Sequence, residues 1–134
     1  MVGVLIVSHG AMAAEAIKSA ELLVGPGEAV AAVGIFPGED PEEVYARIEK
    51  IAGELDSGSG LVALSDLYGG TPNNLVFRLR QRHAIRILAG FNLPMLLYAI
   101  AERTPGMTRD ELAEKLIAIG AGELREFGGG SHAP

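Results

Sequence analysis

The 134-residue chain contains no cysteine, which excludes disulfide bonds and thiolate chemistry. It also lacks an apolar run long enough to span a bilayer, and no basic segment precedes its first apolar stretch as in a signal peptide. Acidic residues outnumber basic ones, with a formal net charge of -6, which argues against nucleic acid as a partner. The composition predicts a cytoplasmic single-domain protein with no direct membrane insertion.

Apolar runs and helix signals alternate along the chain. The predicted strands are residues 2–7, 29–36, 61–65 and 84–89. The predicted helices are about residues 12–24, 41–55, 71–82 and 93–102, with a last helix between Thr108 and Gly120. This alternation predicts an α/β fold: a doubly wound, mainly parallel open sheet of strand order 2-1-3-4 with helices on both faces. The domain is expected to cover residues 1–127 and a flexible tail residues 128–134, while residues 123–127 fit either a short edge strand or a frayed end.

Two residues with acid–base chemistry follow neighbouring strands of this predicted sheet. His9 stands at the end of the first strand and Asp66 at the end of the third. In the order 2-1-3-4 the chain reverses direction between these strands, so both side chains are expected at the switch-point crevice where open α/β sheets bind ligands. A carboxylate bonded to one ring nitrogen fixes the histidine tautomer and leaves the other nitrogen free as a nucleophile.

The segment after Asp66 is typical of an anion-binding helix start. Gly69 and Gly70 are conformationally free, and Thr71 is predicted as the N-cap, so its hydroxyl and the unpaired backbone N–H groups would face the crevice. The segment lacks the lysine of a P-loop and the glycine spacing of a dinucleotide fold, which argues against a bound nucleotide cofactor. Each feature alone is common in ordinary turns. Together with His9 they predict a catalytic pair and a phosphoryl-binding cradle, with no metal and no cofactor.

Three sequence blocks carry a resemblance to a known family. They read VSHG at residues 7–10, DLYGGTPN at residues 66–73 and GFNLPM at residues 90–95, and the middle block is the most specific. The chain resembles, over roughly residues 1–120, the mannose-type enzyme IIA domains of the bacterial sugar phosphotransferase system.

The resemblance implies a phosphocarrier with assigned residues and partners. His9 would take a phosphoryl group from the phosphohistidine of HPr and pass it to a histidine of a IIB protein during sugar uptake, with Asp66 orienting the ring and Thr71 contacting the phosphoryl group. The IIB partner is expected to be a separate polypeptide because this chain stops at Pro134. Family members form dimers, commonly with an exchanged C-terminal strand, and the short segment after Gly122 leaves that exchange open.

Two other functions remain open at this point. A regulatory phosphoprotein of the same family would use the same His9 chemistry with a different partner. A small tetrapyrrole metal chelatase also has a His-Gly turn after its first strand, and only His83, whose sequence neighbours indicate a surface position, could serve as its second histidine. A response-regulator receiver needs acidic residues for Mg²⁺ where this chain has Ser8 and His9, and a phosphohistidine mutase has arginine where Ser8 stands.

Two further features bear on partners. The predicted helix at residues 93–102 is apolar around nearly its whole circumference, which predicts a homodimer in which a second subunit covers the outer flank. The alternative is burial beneath the C-terminal helix. Four arginines that lie close together form either a solvated helix end or a positive docking patch: Arg78, Arg80, Arg82 and Arg86.

Overall fold

Four parallel strands form one sheet in the order β2-β1-β3-β4 in the computed structural model, which describes residues 1–129. The strands are β1 (Gly3–His9), β2 (Val30–Ile35), β3 (Leu61–Ser65) and β4 (Ile85–Ala89). The helices are α1 (Met12–Val24), α2 (Pro41–Leu55), α3 (Gly70–Arg78), α4 (Leu93–Ala101) and α5 (Arg109–Gly122), and a 3-10 turn at Leu79–Gln81 follows α3. The predicted fold class and strand order are confirmed.

Alternate residues of the central strands face two separate cores. Val4 and Ile6 of β1 pack into the core shared with α1, α4 and α5, whereas Leu5 and Val7 pack into the core shared with α2 and α3. All four side chains are fully buried. A strand covered on both faces has a continuous apolar sequence rather than an alternating one. The first polar, exposed side chain of β1 is therefore His9, at the carboxyl edge where the parallel strands end.

The starts of α2, α4 and α5 have a capping side chain, whereas those of α1 and α3 do not. Asp40 and Thr108 each accept a hydrogen bond from a backbone N–H in the first turn of the helix that follows, as their positions predict. At α3 the prediction of Thr71 as N-cap is wrong, because the helix begins at Gly70 and its N-cap is Gly69. Gly69 has a φ of 84°, which strains other residues. Thr71 is instead the second residue of the helix.

Helix α4 is covered by its own chain. Met95 is 4% exposed and Leu96 is fully buried, because the helix packs against both α1 and α5. The Met95 side chain lies on Gly120 of α5, where an added Cβ would come within 2.6 Å of the sulfur. The alternative of burial beneath the C-terminal helix is therefore the one the structure shows, and the argument from this helix for a second subunit is wrong.

Residues 123–127 form neither a helix nor a strand. Two of their side chains are exposed apolar groups: Leu124 is 96% exposed and Phe127 is 80% exposed. The predicted tail falls mostly on residues 130–134, which lie outside the described residues. Within the described part of the chain, none of the helices has both the length and the hydropathy required to cross a membrane.

Arg103 is a buried side chain that binds backbone carbonyls at the amino-terminal edge of the sheet. It is 7% exposed, and its Nη1 donates to the carbonyl oxygens of Val2, at 2.7 Å, and Ala29, at 3.2 Å, while its Nη2 donates to the carbonyl of Glu28. Burial lowers the pKa of the Arg103 guanidinium below its usual value. Because the guanidinium is planar and has several donors, one side chain can bind the backbone carbonyls that precede both β1 and β2.

We expect Arg103→Met to reduce the free energy of unfolding by about 2–3 kcal/mol, because the apolar stem is kept while the donors to buried carbonyls are lost. Urea unfolding followed by circular dichroism measures the change. Arg125→Met is the matched control, since the Arg125 side chain is 74% exposed and its removal should leave stability unchanged. Identical transitions for Arg103→Met and the control would contradict this role.

Candidate functional site

The adjacent strands β1 and β3 bring His9 and Asp66 into contact at the carboxyl edge. Asp66 Oδ2 lies 2.7 Å from His9 Nδ1 and accepts the backbone N–H of His9 at 2.9 Å. The other oxygen, Oδ1, accepts the N–H of Leu67 at 3.0 Å. The Asp66 side chain is 9% exposed, whereas that of His9 is 54% exposed. The predicted pair is therefore assembled, with a fixed carboxylate behind a solvent-facing ring.

The charge of Asp66 sets the tautomer of the ring. Burial by itself would raise the pKa of the Asp66 carboxyl, but hydrogen bonds from the His9 backbone, the His9 ring and the Leu67 N–H outweigh it, so the pKa lies below its usual value. Asp66 is thus a carboxylate at neutral pH and holds the proton of neutral His9 on Nδ1. The lone pair of Nε2 is left free for nucleophilic attack.

The amino terminus of α3 lies in front of the His9 ring. A Cβ added to Gly70 would stand 3.5 Å from His9 Cε1 and 3.8 Å from Nε2, and Gly70 has a φ of 78°. Glycine is therefore needed here for its backbone conformation, since a Cβ would make only ordinary van der Waals contact with the ring. The first-turn N–H groups and the helix dipole favour negative charge at this place, and Thr71 is exposed in the same turn. The arrangement can hold an anionic group next to a nucleophilic nitrogen.

A second histidine–aspartate pair lies at the opposite edge of the sheet. His83 Nδ1 is 2.7 Å from Asp56 Oδ2, and the side chains are 12% and 16% exposed. Both residues stand just before the strands β3 and β4, at their amino-terminal ends. The prediction of a surface position for His83 is therefore wrong. The structure also places His83 and His9 at opposite edges of the sheet. The chelatase alternative requires both histidines at one metal site, so this arrangement argues against it.

Asp56 is held charged by its neighbours. Its Oδ1 accepts the backbone N–H groups of Gly58 at 2.9 Å and Gly60 at 3.1 Å. Desolvation acts to raise the pKa of the Asp56 carboxyl. The hydrogen bonds from His83 and the two glycines lower this pKa by more than desolvation raises it, so the net shift is downward. A carboxyl with a depressed folded-state pKa stabilises the fold above its unfolded pKa, and this stabilisation is lost as the pH falls through the folded-state pKa.

We expect Asp56→Asn to lower the free energy of unfolding at pH 7 by about 1–3 kcal/mol. The gap to the wild type should narrow as the pH falls below the ordinary pKa of aspartate and close at the lowered folded-state pKa, where Asp56 becomes protonated. Urea unfolding over a pH series measures both effects. Asp110→Asn is the control, because Asp110 is 64% exposed and forms a surface ion pair with Arg86. A gap that persists undiminished in acid would contradict the account.

The clustered arginines are occupied by nearby partners rather than presented as an open patch. The ion pairs join Arg78 to Glu42, Arg82 to Glu49, and Arg86 to both Asp110 and Glu114. The guanidinium of Arg80 lies 4.7 Å from the centroid of the Phe77 ring. These contacts favour the solvated helix end over the docking patch.

Comparison with known proteins supports the resemblance to the mannose-type enzyme IIA family over most of the chain. The family model described as the PTS system fructose IIA component matches residues 3–117. Among solved structures, the mannose/sorbose specific IIA subunit of the phosphotransferase system from Enterococcus faecalis has a TM-score of 0.85 and 28% identity over 98% of each chain. The phosphotransferase system component EIIA from Streptococcus agalactiae has a TM-score of 0.83 and 28% identity, over 94% of this chain and 97% of that one.

One curated relative is much longer than this chain. The PTS system mannose-specific EIIAB component of Escherichia coli (strain K12) is 30% identical over 120 residues, which are 89% of this chain and 37% of that protein. This chain thus spans less than half of that relative. The family match includes β1, β3 and the start of α3, the elements that build the His9 site. The chain belongs to the mannose-type enzyme IIA family of the phosphotransferase system.

Proposed function

We propose that His9 accepts a phosphoryl group from phospho-HPr and passes it to a histidine of a IIB protein or domain during sugar uptake. The observation that carries this proposal is the 2.7 Å contact between His9 Nδ1 and Asp66, which directs Nε2 toward the amino terminus of α3. Membership of the IIA family supplies the general chemistry, phosphoryl transfer.

The transfer is a substitution at phosphorus. The Nε2 lone pair of His9 attacks, an N–P bond to His9 forms, and the N–P bond of the HPr phosphohistidine breaks with its electron pair returning to the HPr ring. The proton stays on Nδ1, so the phosphorylated His9 ring is positive and is stabilised by Asp66. The N–H groups of Gly69 and Gly70 and the hydroxyl of Thr71 hold the phosphoryl oxygens. Transfer to IIB is the same substitution with the roles exchanged: a nitrogen of the IIB histidine attacks phosphorus, and the N–P bond to His9 breaks.

The surface around His9 suits a protein donor and acceptor. Four apolar side chains at this edge are about half exposed or more: Met12, Phe36, Leu67 and Tyr68. They belong to the starts of helices or the loops that follow β2 and β3, all at the carboxyl edge. An exposed apolar rim of this kind favours protein contact, and docking over it would exclude water from the phosphoryl group.

Isolation of the phosphorylated chain tests the direction of flow. After removal of HPr, mixing with a purified IIB protein of this family should move the label to a IIB histidine, and excess unphosphorylated HPr should take it back. Return of the label to HPr without any transfer to IIB would favour the regulatory alternative. That alternative and the cytoplasmic location both stay predictions. Failure of both transfers would contradict the phosphocarrier role.

We also propose a homodimer that uses the free edge of β4. Within residues 1–129 this strand pairs only with β3, so its other edge has unpaired backbone groups, a feature that proteins usually cover. A groove beside it is lined by Ile87, Gly90 and the last turn of α5. The exposed side chains Leu124 and Phe127 lie in the segment that directly follows α5. A second copy that covers this surface would bury both the edge and the two side chains.

Sedimentation equilibrium at micromolar concentration should give twice the monomer mass. We expect a variant with both Leu124→Glu and Phe127→Glu to sediment as a monomer. The control carries Leu22→Glu and Leu23→Glu, since these residues are 88% and 65% exposed on α1, away from the β4 edge, and it should remain dimeric. A wild-type monomer mass that does not depend on concentration rejects the dimer.

A further inference from the structure

Two buried serines directly precede the two reacting residues. The buried polar or charged side chains among residues 1–129 are Ser8, Ser65 and Arg103. Ser8 stands before His9 and Ser65 before Asp66, and both serines are fully buried at the ends of β1 and β3. Burial of a hydroxyl is unfavourable unless it is hydrogen-bonded, so the partners of these two groups indicate what they do.

Ser8 connects the end of β1 to the first turn of α1. Its Oγ accepts the backbone N–H of Ala13 at 2.8 Å, in a buried hydrogen bond. The N-cap residue Ala11 has no side chain that could serve this N–H, so Ser8 supplies an acceptor that the helix start otherwise lacks. The Oγ also makes a long contact of 3.5 Å to the carbonyl of Gly10. The segment between these anchors is the one that carries His9.

Ser65 makes the equivalent connection on the other face of the sheet. Its Oγ donates to Oδ1 of Asn73 at 3.0 Å, in the first turn of α3, and contacts the carbonyl of Leu67 at 3.4 Å. Between Ser65 and Asn73 lie Asp66 and Gly70, the glycine beside the His9 ring. This hydrogen bond therefore spans the whole loop that supplies the carboxylate and the anion cradle.

We infer that Ser8 and Ser65 are positioning residues that hold the His9 ring, the Asp66 carboxylate and the start of α3 in register, an inference that rests on the proposed function. The argument is geometric. Asp66 binds both the ring and the backbone of His9, so the two anchored segments form one unit. A shift of about 1 Å in either segment would stretch the Nδ1–Oδ2 contact beyond hydrogen-bond range and misdirect Nε2.

Single substitutions test this role. We expect Ser8→Ala and Ser65→Ala each to slow phosphoryl transfer from phospho-HPr by about tenfold. The matched control is Ser57→Ala, because Ser57 donates to the carbonyl of Met1 at 3.3 Å at the opposite edge, and it should transfer at the wild-type rate. Urea unfolding of each variant shows whether the fold is retained under the assay conditions.

Nitrogen NMR of the unphosphorylated protein gives a readout that a general loss of stability would not move. In the wild type the His9 ring should show one tautomer with the proton on Nδ1, and both serine variants should show a mixture of tautomers. These spectra need no HPr. If the wild type never accepted a phosphoryl group, the proposed function would fail, and the spectra would still decide whether the serines position the ring.

A double-mutant cycle separates the Ser65 hydrogen bond from other effects. Asn73→Ala removes the partner of Ser65, so the variant with both Ser65→Ala and Asn73→Ala should be no slower than the slower single variant. Fully additive losses would overturn the Ser65 assignment. Wild-type rates and a single tautomer in both serine variants, or an equal loss in Ser57→Ala, would overturn the inference as a whole.

Discussion

His9→Ala is expected to reduce phosphorylation by phospho-HPr by more than about a thousandfold, to the level of the chain-free control. The reason is that His9 provides the one ring nitrogen that lies beside both a charged carboxylate and a helix amino terminus within residues 1–129. The fold should survive, because the side chain is 54% exposed and contributes little to the core. Labelling with radioactive phosphoenolpyruvate, enzyme I and HPr measures the loss.

The matched control for this loss is His83→Gln. His83 also binds an aspartate at 2.7 Å, but at the amino-terminal edge, far from the α3 cradle. We expect this variant to be labelled at the wild-type rate. Loss of labelling in His83→Gln with retention in His9→Ala would reverse the assignment of the two histidines.

Asp66→Asn is expected to slow phosphoryl transfer by about a hundredfold with the fold intact. The amide can still accept a hydrogen bond from the ring, but it is neutral and cannot stabilise the positive ring that forms at His9. Thr71→Ala should slow the reaction less, because the backbone N–H groups of Gly70 and its neighbours remain in place. Rapid-quench kinetics with phospho-HPr give the rate and the affinity separately.

The outcome that contradicts this coupling is specific. If Asp66→Asn transfers at the wild-type rate with unchanged affinity for phospho-HPr, the carboxylate does not act on the ring during transfer. Equal losses in Asp66→Asn and Thr71→Ala would instead indicate that both residues act mainly by binding the phosphoryl group.

The sheet and the His9–Asp66 pair could be predicted because they depend on patterns within short segments. Each strand is an apolar run that stops at a turn, and the order 2-1-3-4 is a common one for a doubly wound fold. Once β1 and β3 are placed side by side, the residues at their carboxyl ends must meet. The contact between His9 and Asp66 follows from topology without any knowledge of side-chain packing.

The errors arose where the structure depends on backbone conformation or on distant contacts. The start of α3 depends on the left-handed conformations of Gly69 and Gly70, which no periodicity reveals. The pairing of His83 with Asp56 joins residues 27 positions apart, so neither sequence neighbourhood indicates burial. For α4, an apolar circumference shows that the helix is covered, but not that α1 and α5 cover it.

The serines are an intermediate case. A polar residue at the last buried position of an apolar strand is visible in the sequence at both Ser8 and Ser65. What the sequence does not show is the partner, because Ala13 and Asn73 become partners only after the following helices pack onto opposite faces of the sheet.

The position of the phosphoryl group on the wild-type chain tests the central claim most directly. After incubation with phosphoenolpyruvate, enzyme I and HPr, intact mass should increase by one acid-labile phosphoryl group per chain. Peptide mapping should place it on His9, and phosphorus–nitrogen NMR should place it on Nε2, since Nδ1 is bound to Asp66. A phosphoryl group on His83, on any other residue, or on Nδ1 of His9 would contradict the account.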